Sequence, residues 1–389
     1  MTIKDLTKDS IISLQNLTII KEVDEFTLGD EKKNIYFRVP IEATYVIQEA
    51  NGIKSIKEIE DTIKVTKQVD IDVLDFIINL NKLGLIEDID TLQQHNLTKK
   101  SWTILLGKIF FNKFTTVFYS LNVLLLFILF IIDYETLLPS YRDTFVFTHI
   151  GLSLLLFFIV SWLLVFIHEL AHYFAVSAYG KKMKLQLSVR WFWIVIEADM
   201  NSLWLIPRNH RYIPFLAGFF WDVLILNTSL IISLFIENGL FLNILKMISL
   251  IQFYKILWQF IIFLRTDFYY VIINYLGISN LTKGSISYLL RKFSHSQKNF
   301  FDKFNNREQK ICKRYSYLYL ISIVIMSYLF FSLSLPATIY AIRESFQNIS
   351  TFNMNNLIFW DSSIVLSIFL LELVLWIIGG YQKWRREGT

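Results

Sequence analysis

Residues 147–180 read FTHIGLSLLLFFIVSWLLVFIHELAHYFAVSAYG. The stretch is longer than the roughly 20 apolar residues needed to cross a hydrocarbon layer of about 30 Å. Near its end stand three ionisable groups, His168, Glu169 and His172. Such groups at lipid depth are costly unless they have partners or a task. On a helix, residues four apart lie on one face. The two imidazoles can therefore hold one Zn²⁺ while Glu169 projects close enough to take a proton from water. Two expectations follow: a polytopic α-helical membrane fold, and a metal site built on one of its spanning helices. The alternative is that neighbouring helices merely satisfy three polar side chains.

The rest of the chain supports the membrane class. Of 389 residues 54% are hydrophobic, 35 of them Phe, and the mean hydropathy is +0.45, beyond what a soluble core of this size needs. Apolar runs of spanning length fall near residues 115–132, 147–179, 213–236, 240–264, 315–335 and 362–379, which makes six spans. The first 20 residues lack the basic start, apolar middle and small-residue end of a signal peptide. Basic residues next to spans are retained in the cytosol. Here they alternate from loop to loop: Lys99, Lys100, Lys108 and Lys113, then Lys181, Lys182, Lys184, Arg208 and Arg211, then a dense set from Lys283 to Arg314, then Lys383, Arg385 and Arg386. The other loops carry only Arg142 and Arg343. A multi-pass cell-membrane protein with both termini cytoplasmic is expected. The net charge of +5 is then mainly a topology signal, with some attraction to anionic lipid. One cysteine, Cys312, excludes an internal disulfide and a thiolate metal cluster.

Ahead of the spans the polarity is that of a soluble domain. After an N-terminal extension (1–24), residues 25–92 are expected to form a small α+β, winged-helix-like cytosolic head. In EFTLGDEKKNIYFRV, Phe26 and Leu28, then Ile35, Phe37 and Val39, alternate with polar neighbours, predicting two strands around a Gly29-Asp30 turn. Helices are expected in IEATYVIQEANG up to Gly52, in SIKEIEDTIK with a Ser55/Glu58 capping box, and in DIDVLDFIINLNKLG up to Gly84, with LIEDI closing as a strand. A winged helix commonly binds nucleic acid, but residues 25–90 hold 8 basic against 14 acidic side chains, a net of −6. That charge repels a phosphate backbone, so no nucleic-acid partner is expected. A basic linker (93–114) leads to a membrane core (115–282). A basic cytosolic loop (283–314) and two further spans with a short basic tail (315–389) follow.

A catalytic zinc needs a third protein ligand and an open position. Asp267, in FLRTDFYYVI, is the candidate, because the topology brings the cytoplasmic end of the fourth span to the side of the motif. Its competitors are Glu197, Asp199, Asp222, Glu237 and Glu372. A di-iron bundle would need a second Glu-x-x-His pair. The residues three before His95, His149, His210 and His295 are Leu92, Val146, Pro207 and Lys292, so none exists. Bis-histidine haem would need ligands on different helices, whereas His149 and His168 share one. KLQLSVRWFWIVIEADMNSLWLIP, between the second and third spans, alternates and then turns wholly apolar, which reads as strands. Such backbone at membrane depth is tolerated where protein or a wet cavity covers it. An interfacial hairpin anchored by Trp191, Trp193 and Trp204 reads equally well.

From about residue 160 to 282 the chain resembles the site-2 protease family of intramembrane zinc metalloproteases, including members encoded beside genes for modified peptides. The resemblance rests on HELAH, on LAGFFWDVLILN at 216–227 against the family's Ala-Gly-Pro-x-x-Asn segment, and on RTDFYYVIINYLGISNL against its Asp-Gly-Tyr motif. It implies His168, His172 and Asp267 as zinc ligands and Glu169 as catalytic base. It also implies substrate contacts around Asp222, Asn227, Trp191 and Trp193, with the strand segment re-entrant and pairing with an extended substrate. Phe219 stands in place of the proline, Asp222 in place of the asparagine, and Phe268 in place of the glycine. In the head, NGIKSIKEIEDTIK followed by FIINLNKLGLI resembles PqqD-like peptide-recognition domains, which bind leaders of ribosomally made, modified peptides by adding a strand to a sheet edge. Together the resemblances imply an intramembrane zinc endopeptidase that cuts a leader-bearing peptide precursor, with a peptide exporter as a further partner. The rival readings are regulated proteolysis of a membrane-held transcription inhibitor, and a non-catalytic peptide-export or immunity protein.

Overall fold

The computed structural model describes residues 6–23, 25–30, 33, 35–86, 102–190, 193–278, 280–350, 354 and 356–387. The chain divides into two compact units. One comprises Met1–Lys108, Val176–Met183 and Asp199–Tyr212, and the other Ile109–Ala175, Lys184–Ala198 and Ile213–Thr389.

In the first unit, β1 (Ile11–Ser13) pairs antiparallel with β5 (Asn51–Ser55). The strands β2 (Thr18–Lys21), β3 (Phe26–Asp30) and β4 (Ile35–Val39) form an antiparallel sheet in that order. Helix α1 (Ile41–Glu49) follows Pro40 directly, as suits a residue with fixed φ at a helix start. Helix α2 (Ile56–Lys67) opens on the expected capping box: Ser55 Oγ accepts from Glu58 N–H at 3.3 Å and Glu58 Oε2 from Ser55 N–H at 2.8 Å. Helix α3 (Val73–Lys82) is capped by Asp72. Ile56, Ile59 and Ile63, with Val73, Ile77 and Leu80, recur at helical spacing and are buried with Leu28 and Val46 in one core.

The expected boundary at residue 25 cuts this unit too late, since β1 and β2 lie before it. Their apolar pieces, Ile11-Ile12 and Ile19-Ile20, are too short and too mixed with polar neighbours to show a period. The expected Gly29-Asp30 turn is also displaced. Both residues pair within β3, Gly29 opposite Tyr36 and Asp30 opposite Ile35. Glycine is needed there for close approach, because a Cβ would run into the Tyr36 ring and the Ile35 carbonyl. A further strand, β5, separates α1 from α2. Leu85 is buried, while residues 87–90 of the expected closing strand lie outside the described residues.

The segment 199–212 belongs to this same unit and is tied to its sheet by a buried ion pair. Arg211 donates to both carboxylate oxygens of Glu22, at 3.0 and 2.6 Å, and to the carbonyls of Ile206 and Trp204. Thr27 Oγ1 adds a bond to Glu22 at 2.8 Å, and Arg211 lies over the Trp204 ring at 4.9 Å.

The second unit follows on from α4 (Trp102–Phe110) and is mostly helical: α5 (Lys113–Ile132), α6 (Tyr134–Leu137), α7 (Ile150–Ala178), α8 (Tyr212–Ser233), α9 (Leu240–Gln259), α10 (Asp267–Leu276), α11 (Leu281–Leu290), α12 (His295–Asp302), α13 (Asn306–Leu329), α14 (Leu335–Ser350) and α15 (Leu357–Glu387). Six helices among the described residues are long and apolar enough to cross a membrane; they begin at Lys113, Ile150, Arg208, Leu240, Asn306 and Leu357. Helices overrun the apolar runs where polar ends are well capped. Asn305 and Glu308 form a capping box that starts α13 well before residue 315. The basic segment 283–314 is likewise helical for most of its length. Between α7 and α8, β6 (Lys184–Arg190) pairs with β7 (Trp193–Asp199). The motif helix α7 is anchored at its start by Asp361 of α15, whose Oδ1 accepts from Gly151 N–H at 2.7 Å and Leu152 N–H at 3.3 Å, a carboxylate placed at a helix N-terminus.

Candidate metal centre

His168, Glu169 and His172 lie near the C-terminal end of α7, all buried. The four-residue spacing puts both imidazoles on one face, and α8 passes directly over it. Gly218 permits that approach: a Cβ there would strike the rings of both histidines. Asp267 arrives as the first residue of α10.

Two hydrogen bonds determine which ring nitrogens face the centre. His172 Nδ1 lies 2.8 Å from the Pro214 carbonyl, which can only accept, so Nδ1 carries the proton. His168 Nδ1 lies 2.7 Å from Asp222 Oδ2 and donates to that carboxylate. In the neutral rings both Nε2 atoms therefore present lone pairs. They lie 3.2 Å apart, and Asp267 Oδ2 is 3.1 Å from one and 3.2 Å from the other. Three converging acceptors at this spacing repel one another unless a cation or a shared proton lies between them, so the group could hold a metal ion. A tetrahedral ion with bonds of about 2.0–2.1 Å separates its donors by about 3.3 Å, close to what is found. The donor set, two imidazoles and a carboxylate, suits zinc as well as other divalent metals. Glu169 completes the set, with its Oε2 buried and without a hydrogen-bond partner among the described residues.

Asp222 is completely buried, with one oxygen on His168 and the other 2.7 Å from Lys255 Nζ of α9, which also donates to the Leu164 carbonyl. An ionised carboxylate in that position orients the His168 ring, and Lys255 neutralises it. Asn227 donates through Nδ2 to the Asn122 carbonyl at 2.7 Å, tying α8 to α5, and its Oδ1 has no hydrogen-bond partner among the described residues. Trp193 packs edge-on against Trp258 at 5.1 Å. Trp191 lies outside the described residues. Of the competing acids, Glu197 pairs with Arg190 at 2.9 Å, Asp199 caps Asn201 N–H, and Glu372 is exposed on α15. None of them belongs to the metal-binding group.

Phe219 and Phe268 pack at 5.1 Å, and Phe260 closes on Phe268 at 4.9 Å. Lys255, Arg190 and Gln259 escaped the sequence reading although they surround the site. Gln259 Oε1 accepts from Asp267 N–H at 3.1 Å. Polar residues within an apolar run were the available signal.

Comparison of the chain with protein-family models, curated proteins and solved structures found no match.

Proposed function

We propose that the protein is an intramembrane metallopeptidase in which His168, His172 and Asp267 hold Zn²⁺ and Glu169 is the catalytic base. The observation that carries this reading is the convergence of three lone-pair donors at 3.1–3.2 Å beside a buried carboxylate with an uncommitted oxygen. When bound, zinc supplies Lewis acidity toward a carbonyl oxygen and acidifies water. Glu169 takes the proton of the attacking water and returns it to the leaving amine. Asp222 and the Pro214 carbonyl fix the two imidazoles in one tautomer, and α8 closes over the site through Gly218. The buried setting limits competing water and strengthens these electrostatic interactions.

The substrate in this reading is a ribosomally made precursor peptide whose leader docks on the head. The edge position of β4 in its sheet supports that mode, since an added strand gains backbone hydrogen bonds there. The pairing of β6 with β7 supports a segment that receives extended peptide at membrane depth. The alternation of basic loops supports cytoplasmic termini. Incubating candidate precursors with the protein in lipid and reading the products by mass spectrometry tests the proposal. Cleavage that survives Glu169→Gln at the normal rate would overturn it.

A further inference from the structure

Arg190, the last residue of β6, reaches the backbone that delivers Asp267. Its Nη1 donates to the Leu264 carbonyl at 2.8 Å and the Arg265 carbonyl at 2.5 Å, while Nη2 pairs with Glu197 of β7 at 2.9 Å. Leu264 ends a 3₁₀ turn, Ile262–Leu264, whose last carbonyls have no helical partner to continue to. Arg265 then takes a left-handed conformation at φ +57°, which costs a residue with a Cβ but not glycine. Two residues later Asp267 begins α10. The peptide is thus turned sharply just before the third donor, and the carbonyls exposed by that turn are the ones the guanidinium collects.

We infer that Arg190 is the positioning residue for Asp267, a role that rests on the donor set proposed above. The loop has a second anchor on the opposite side, where the Gln259 carbonyl accepts from Thr266 Oγ1 at 2.7 Å and its side chain holds Asp267 N–H. Gln259 fixes the start of α10, and Arg190 fixes the turn that leads into it. These contacts commit the Nη1 and Nη2 groups of Arg190 to this protein's own carbonyls and carboxylate. It acts through the loop rather than on a substrate. The Glu197 carboxylate at 2.9 Å supplies the counter-charge of the guanidinium, a group that is not deprotonated in proteins. The pair also borders a cavity of about 310 Å³ that Arg265 and Lys383 help to line, a polar setting that lowers the cost of charge there. Metal affinity should therefore depend on a strand residue that touches neither the metal nor the peptide.

The test is metal affinity, read on full-length protein in lipid nanodiscs by Zn²⁺ competition against a chromophoric chelator and by the visible spectrum of the Co²⁺ form. D267N serves as the reference for loss of a donor. Arg190→Met should weaken metal binding by about 10–100-fold, the usual cost of removing an outer-shell partner, and Arg190→Lys by less. Adding Arg265→Gly to Arg190→Met should recover part of the loss, because glycine adopts the left-handed turn without the clamp. That recovery is not expected from a protein that has simply unfolded. Wild-type affinity in Arg190→Met overturns the inference, and so does a loss that Arg265→Gly leaves untouched. Failure of the underlying donor set looks different: D267N would bind metal as tightly as wild type.

Discussion

Each of the two units buries a cluster of charges, and the clusters are built to opposite ends. In the first unit Arg211 spends its donors on Glu22, Ile206 and Trp204, and Glu22 takes a further bond from Thr27. Donors and acceptors are matched. In the second unit the outer ring is matched in the same way: His168 to Asp222, Asp222 to Lys255, His172 to Pro214, Arg190 to Glu197. The inner ring is not. Two Nε2 atoms and a carboxylate oxygen face one another, and Glu169 Oε2 meets no donor among the described residues. Burial of charge alone therefore does not mark a site. An excess of acceptors does, because a protein that only needed stability would pair them.

Four measurements bear on this contrast. The largest effect is expected at Glu169: conversion to Gln should lower peptide cleavage by about 10²–10⁴-fold, the usual contribution of a general base, while zinc content stays unchanged. Next is the matched cluster. Arg211→Met leaves Glu22 buried without its main partner and should destabilise the first unit by about 3–5 kcal/mol, whereas the double change Glu22→Leu with Arg211→Met should recover most of it. Denaturant-dependent proteolysis of the head reads both. Asp222→Asn keeps a hydrogen bond to His168 but leaves Lys255 without a counter-charge. It should weaken zinc binding by about 10-fold or more, and Lys255→Met added to it should restore part of the loss. The smallest effect is remote from both clusters: Ser55→Ala removes one half of the capping box and should cost about 1 kcal/mol of head stability with no change in metal affinity.

What the sequence makes legible is local. His168 and His172 share a helix face by spacing alone, and among the described residues the six helices long and apolar enough to span a membrane appear where apolar runs of sufficient length occur. The Ser55/Glu58 box is visible for the same reason, since its partners are three residues apart. Asp267 is 95 residues from His172, beyond the reach of spacing on a single helix. Arg190, Lys255 and Gln259 stand out in the sequence only as polar residues among apolar ones, and what each does depends on a partner on another element: a carbonyl at 264, a carboxylate at 222, an amide at 267. Gly29 misled for a related reason. A glycine beside an aspartate resembles a turn, and what selects it in β3 is the ring of Tyr36 across the sheet.

The contact between Phe219 and Phe268 carries a consequence for how substitutions at the two positions combine. The two positions are 49 residues apart yet their rings pack together, and the largely exposed Phe260 lies edge-on to Phe268. Replacing Phe268 alone by glycine would remove the ring contacts with Phe219 and Phe260 at a half-buried position, so the cost should fall below the roughly 3–5 kcal/mol of a fully buried aromatic ring. Replacing Phe219 alone would strip Phe268 of a neighbour. Because each ring is a neighbour of the other, the costs of substitutions at the two positions are expected to be coupled and not to add.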